Sequence, residues 1–229
     1  MRHLIVAAAA LLATACHSVD SSEVDTHDIR AEMTVTADGS GRAEVIAELE
    51  AEGHAFGYVE LVPGEVLRVH ARGYDVPMSE RWYDYHADLP VDRGETEFQI
   101  RLERIYGAHA PDSWVQLPPR FDLYRNPGVY TLGWDVIPIQ WDVIADDEMT
   151  VRVDGPCVEA WERYIPARAD VGAVALRPHD LVIDEDWDGS RCDLAVTVER
   201  VRAGRLDRAF GGGSIEAKQV RESVIRVAY

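Results

Sequence analysis

Lysine is almost missing from this 229-residue chain: of 23 basic residues only Lys218 is lysine, and 41 acidic residues bring the net charge to −18. A surface so negative repels phosphate backbones and anionic headgroups, which argues against nucleic acid as a partner. Long apolar runs are missing too. The longest, Leu4 to Leu12, is too short to span a bilayer, so the remainder of the chain reads as a soluble body. No Gly-x-Ser-x-Gly elbow, His-Glu-x-x-His helix or Ser-x-x-Lys is present, and no Cys-x-x-Cys. Gly211-Gly212-Gly213 has neither the basic partner nor the strand-to-helix setting of a phosphate loop, and reads as a hairpin connection. Helical periodicity is scarce. The acidic residues include no marked carboxylate pair for glycoside chemistry.

The N-terminus carries the strongest signal. Arg2 and His3, the apolar run, and then Ala13, Thr14 and Ala15 keep the basic, apolar, small-residue order of a secretory signal over residues 1–15. Leu12-Ala13-Thr14-Ala15-Cys16 resembles the lipobox of bacterial lipoproteins, with Ala rather than Leu three residues before the cysteine. The resemblance implies that Cys16 is acylated and becomes the mature N-terminus, a multi-chain anchor more stable than a single acyl chain. It also implies that His17, in the place where Asp would favour inner-membrane retention, favours the outer membrane. Loss of Arg2 leaves 22 basic against 41 acidic residues. Residues 16–28, small and polar after the cysteine, are expected to form a flexible tether. With Cys16 lipidated, Cys157 and Cys192 remain in an oxidising compartment, where a disulfide is the simplest pairing.

The mature part reads as strands. Glu32–Ala37 and Arg42–Glu50 alternate on either side of Asp38-Gly39-Ser40-Gly41, a hairpin signal because Asp-Gly supplies positive-φ positions. Further strands are expected at 66–71, 82–89, 97–104, 130–137, 149–153, 173–176, 181–183, 193–200 and 214–227, and a short helix at 157–164. The expected fold class is all-β: two tandem immunoglobulin-like β-sandwich domains, 29–108 and 109–229, joined through the proline-rich 108–119, which leads into an edge strand of the second. Residues 32–39 match 148–155 at six of eight positions, and 98–105 resembles 194–201. Either duplication or convergence gives such an echo. Leu132-x-Trp134 followed by Pro138 resembles the first tryptophan-bearing strand of fibronectin type III modules, which implies a sandwich and no particular activity.

Three groups of residues could carry chemistry. Asp184, Asp186 and Asp188, followed by Gly189, resemble the start of a calcium loop, to which Ser190 and Asp193 could add oxygens. Position twelve is Ala195, so an EF-hand is excluded, and the alternative is a solvated acidic hairpin. On a strand, Asp84, His86 and Asp88 share a face with Trp82 and could offer zinc ligands with His70 or His54, or form a hydrated outer surface. Trp114, Trp141 and Trp187 lie near turns, where rings could stack on sugars, though core filling is the commoner use. The function expected is a lipid-anchored, outer-membrane envelope protein without catalysis, a structural or adhesive module with protein or glycan partners. Calcium-dependent or carbohydrate binding and a hydrolase without a recognisable motif are the alternatives, and calcium is the one cofactor considered.

Overall fold

A computed structural model describes residues 17–53, 57–144, 146–185, 187 and 189–228. Alternation of apolar and polar residues governs what forms. In chain order the strands are β1 (His17–Asp20), β2 (Ile29–Ala37), β3 (Ala43–Ala51), β4 (Gly57–Glu60), β5 (Val66–Ala71), β6 (Tyr74–Pro77), β7 (Ser79–Arg81), β8 (Asp84–Leu89), β9 (Glu97–Glu103) and β10 (Ala110–Gln116). The second half supplies β11 (Val129–Thr131), β12 (Ile137–Gln140), β13 (Glu148–Gly155), β14 (Val158–Ile165), β15 (Ala173–Leu176), β16 (Arg191–Ala203) and β17 (Gly212–Ala228). Most of the described residues are strand, and no α-helix occurs among them, so the fold is all-β.

An 11-stranded sheet carries the order β1-β4-β3-β2-β17-β16-β13-β14, with β8 and β7 on the β3 edge and β11 on β17. A 4-stranded sheet, β10-β9-β5-β6, and the β12-β15 pair complete the set. The β2–β3 hairpin forms as the Asp-Gly signal requires. Gly39 and Gly41 take φ of +88° and +93°, and the Asp38 carboxylate accepts from the Ser40 amide at 2.8 Å. Those Ser40 contacts hold the Asp38 carboxyl below its ordinary range.

Two apolar clusters form. In the first, Met33, Val35, Val45 and Leu49 of the large sheet pack with Leu67, Val69, Phe98 and Ile100 of the 4-stranded sheet. In the second, Val151, Val196, Val198 and Ile225 pack with Ile137, Ile139, Val174 and Leu176. The β16–β17 hairpin runs through both. One face of β17 sends Ile215 and Ala217 into the first cluster and Ile225 and Val227 into the second. Between them the same face carries Gln219 and Arg221, both buried, beside Arg200 of β16.

These three polar residues make a joint around Phe121. The Arg200 and Arg221 guanidiniums lie 4.9 and 5.3 Å from the Phe121 ring centre, within cation–π range. Arg200 pairs with Asp170 at 3.0 Å, while Arg221 Nε donates to the Phe121 carbonyl, also at 3.0 Å. Burial pushes the Arg221 pKa down, and the nearby Arg120 charge adds to that. A buried arginine is tolerated here because carbonyls and a ring face replace its water.

Several expectations are corrected. Residues 158–165 form strand β14, not a helix. Only Val158 and Ile165, at its ends, are buried, so an edge strand pairing with β13 leaves no two-residue period to read. The stretch 130–137 breaks into β11 and β12 at a turn where Gly133 takes φ +76°. Trp134 is 82% exposed in that turn, so the tryptophan-bearing core strand implied by the fibronectin resemblance does not form. Of 181–183 only Ile183 bridges, to Val158. The proline-rich stretch 108–119, expected to link two units and lead into an edge strand of the second, itself holds edge strand β10. β10 pairs with β9, however, and its Ala110 and Val115 pack in the first cluster. The two echoed segments separate: β2 and β13 each begin a hairpin in the large sheet, whereas β9 and β16 lie in different sheets.

Candidate functional site

The segment after Cys16 does not dangle as a tether. β1 pairs in parallel with β4, His17 opposite Gly57 and Ser18 opposite Tyr58, and Ser21, Val24 and Thr26 are buried. Burial of the polar Ser21 and Thr26 is compensated by one ion pair. Arg104 and Glu65 are both fully buried and 3.1 Å apart. Arg104 also donates to Thr26 Oγ1 at 3.0 Å and to the carbonyls of Ser21 and Val24. Glu65 accepts from the Ser21 hydroxyl at 2.5 Å and from the amides of Ile105 and Tyr106. Burial alone would raise the Glu65 pKa. The bonds from Ser21, Tyr106, Ile105 and Arg104 outweigh it and hold the carboxyl below its ordinary value. Cys16 itself lies outside the described residues.

A row of paired residues therefore crosses one end of the large sheet: His17, Gly57, Ala51, Ile29, with Arg30 opposite Gly212. β17 starts there and runs 17 residues, roughly 50 Å at strand rise, to Ala228. The far end holds the disulfide. Cys157 and Cys192 are joined as expected, with Cα atoms 6.3 Å apart, and Cys192 pairs in register with Val227.

The acidic loop lies beside that disulfide. The Asp184 amide donates to the Cys157 carbonyl at 3.1 Å. Asp193 sits on β16 opposite Arg226, 3.8 Å away, and Ser190 is exposed just before that strand. Asp186 and Asp188 fall outside the described residues. On β8, Tyr85, Ala87 and Leu89 face inward as expected, with Asp84, His86 and Asp88 on the other side. His86 lies 3.6 Å from Glu44, and His70 is on the other sheet. His54 is outside the described residues. Among the described residues, the metal-ligand types converge only at Asp25, His27 and Asp28. Of the tryptophans considered for sugar stacking, Trp141 is 2% exposed and hydrogen-bonded to Asp170, so it is core. Trp114 is half-buried under Arg205, and Trp187 packs on the second cluster. The strongly exposed tryptophans are Trp82 and Trp134.

The most site-like feature is one that sequence reasoning misses. β17 pairs with β16 along one edge. On its other edge β2 pairs with residues 212–219 and β11 with 226–228. Among the described residues no strand pairs with 220–225 on this second edge. An open cleft of about 570 Å³ lies there, between Glu222, Ser223 and Val224 on one wall and Arg125 to Gly128 on the other. Val224 is 56% exposed. Unpaired strand edges are templates for another strand, and proteins ordinarily cover or charge them. The alternating pattern of β17 gives no hint of the gap, because pairing partners set it and not the strand's own residues.

No protein-family model matches the chain, and no curated protein matches it.

Proposed function

We propose that this protein is an exported lipoprotein, anchored through Cys16 in the outer membrane, that binds an extended peptide segment of a partner protein and carries out no catalysis. The observation that carries the binding role is the interrupted edge of β17 at 220–225. A strand added there would be flanked by β2 and β11 and would take its main-chain bonds from β17, the mode called β-augmentation. Arg125, Arg226 and Glu222 around the cleft offer charge for selecting side chains. The anchoring role is supported by the lipobox-like Cys16 and by docking of the segment after it at the opposite end of β17. The cleft then faces away from the membrane, where a partner can reach it.

The test is site-specific photocrosslinking in the envelope of producing cells. A photoreactive residue at Val224 should yield a defined adduct whose partner peptide maps to one extended segment. The same residue at Val171, 76% exposed and not among the residues lining the cleft, should not. Equal adducts from both positions, or none from Val224, would refute the peptide-binding role.

A further inference from the structure

The β7–β8 hairpin turns at Trp82 and Tyr83, both at positive φ, +53° and +79°. Trp82 is 90% exposed, the most exposed of the large apolar residues described, and Tyr83 is 50% exposed. Two neighbouring aromatics in the left-handed region are uncommon, and Asn-Gly would make such a turn without strain. The tip's place in the fold gives these rings a use. Tyr83 meets the ring of Tyr58 edge-on, centroids 5.6 Å apart, and Tyr58 stacks on Tyr85 at 5.8 Å. Tyr58 is the register partner of Ser18, two residues after Cys16. His17, the residue next to Cys16, and the aromatic tip thus lie at the same end of the large sheet, within roughly 25 Å of one another by strand spacing.

We infer that Trp82 and Tyr83 form a second membrane contact, inserting into the headgroup region beside the lipid anchor and setting the orientation of the whole body. This rests on the proposed acylation of Cys16. With β1 paired to β4 and Ser21 buried, the chain after Cys16 has no slack, and the end of the sheet that bears it must abut the bilayer. Trp and Tyr are the side chains that favour this interface, with an apolar ring and a polar edge. Glu60 and Glu80 lie close enough to act on the Tyr58 phenol, so the surround is acidic. The contact is therefore to a zwitterionic surface, and anionic lipid should weaken it. Oriented in this way, β17 stands away from the membrane and carries its open edge outward.

The experiment uses the full mature protein in phosphatidylcholine vesicles containing brominated acyl chains, which quench only tryptophans at the bilayer. Wild-type fluorescence should be quenched relative to unbrominated vesicles. Trp82→Phe should lose the greater part of that quenching, and Trp134→Phe, at the far end of β17, should keep it. Replacing half of the phosphatidylcholine by phosphatidylglycerol should reduce it. Trp82 packs too little for the substitution to unfold the protein, and an unchanged melt verifies that. The mass of the N-terminal peptide separates the two claims. If Cys16 is acylated and Trp82→Phe quenches like wild type, the membrane contact is wrong and the anchoring stands. If Cys16 is unmodified, both fall.

Discussion

Replacing Glu65 by Gln should release the N-terminal segment and destabilise the protein. The substitution keeps the size of the side chain and leaves one oxygen to accept from the Ile105 and Tyr106 amides. Its amide group can face the rotatable Ser21 hydroxyl. What it removes is the charge opposite Arg104, and both partners are fully buried. Breaking a buried pair from one side costs about 3 to 5 kcal/mol, because the remaining charge is left without compensation. For a body of this size that lowers the melting midpoint by roughly 6 to 20 °C. The loss should be largest locally. Amide hydrogen exchange at Ser18 to Thr26 should accelerate more than exchange in β16. The pH dependence has a definite sign. The folded Glu65 carboxyl titrates below its ordinary value, so the unfolded chain binds more protons in the window just below about pH 4.5. The stabilisation is complete above that window and is lost as pH falls through the folded pKa. The wild type should lose stability there, and Glu65→Gln should lose less. A midpoint within about 1 °C of wild type, with unchanged exchange at 18–26, would refute the clamp.

Three further outcomes are expected from contacts elsewhere in the fold. Asp170→Asn leaves Arg200 without its partner in the joint beneath Phe121, and a chemical denaturation curve should show a loss of about 3 kcal/mol or more. Reducing the Cys157–Cys192 bond, or replacing both cysteines by Ser, should cost roughly 3 to 4 kcal/mol by freeing a loop of separation 35, read by the same curve. Asp193 already faces Arg226, so calcium in excess should leave the melting midpoint where chelator leaves it. A rise of several degrees that Asp184→Asn abolishes would instead place a cation in the acidic loop.

Local patterns in this chain are legible and distant ones are not. The Asp38–Gly41 turn, the alternation of β2, β3 and β16, and the Cys157–Cys192 pairing all depend on residues whose own chemistry announces them. Ser21 and Thr26 read as tether because small polar residues have no reason to be buried. They are buried because Arg104 and Glu65, some 40 to 80 positions away, satisfy them. β14 misleads for a related reason, since an edge strand borrows its conformation from β13 and needs no pattern of its own. The Phe121 joint needs arginines from two strands meeting a ring from a loop. Trp82 reads as the start of a strand because nothing in Trp-Tyr-Asp marks a turn at positive φ. The open edge of β17, the candidate site itself, is the absence of a neighbour, and no residue encodes that by itself.

The anchoring on which the whole account depends is tested most directly by the mass of the N-terminal peptide of the protein purified from envelopes in detergent. The peptide should begin at Cys16 and carry the added mass of a diacylglyceryl group, and Cys16→Ser should move the protein from the membrane to the soluble fraction. A mature terminus at any other residue, or an unmodified Cys16, would contradict the anchoring.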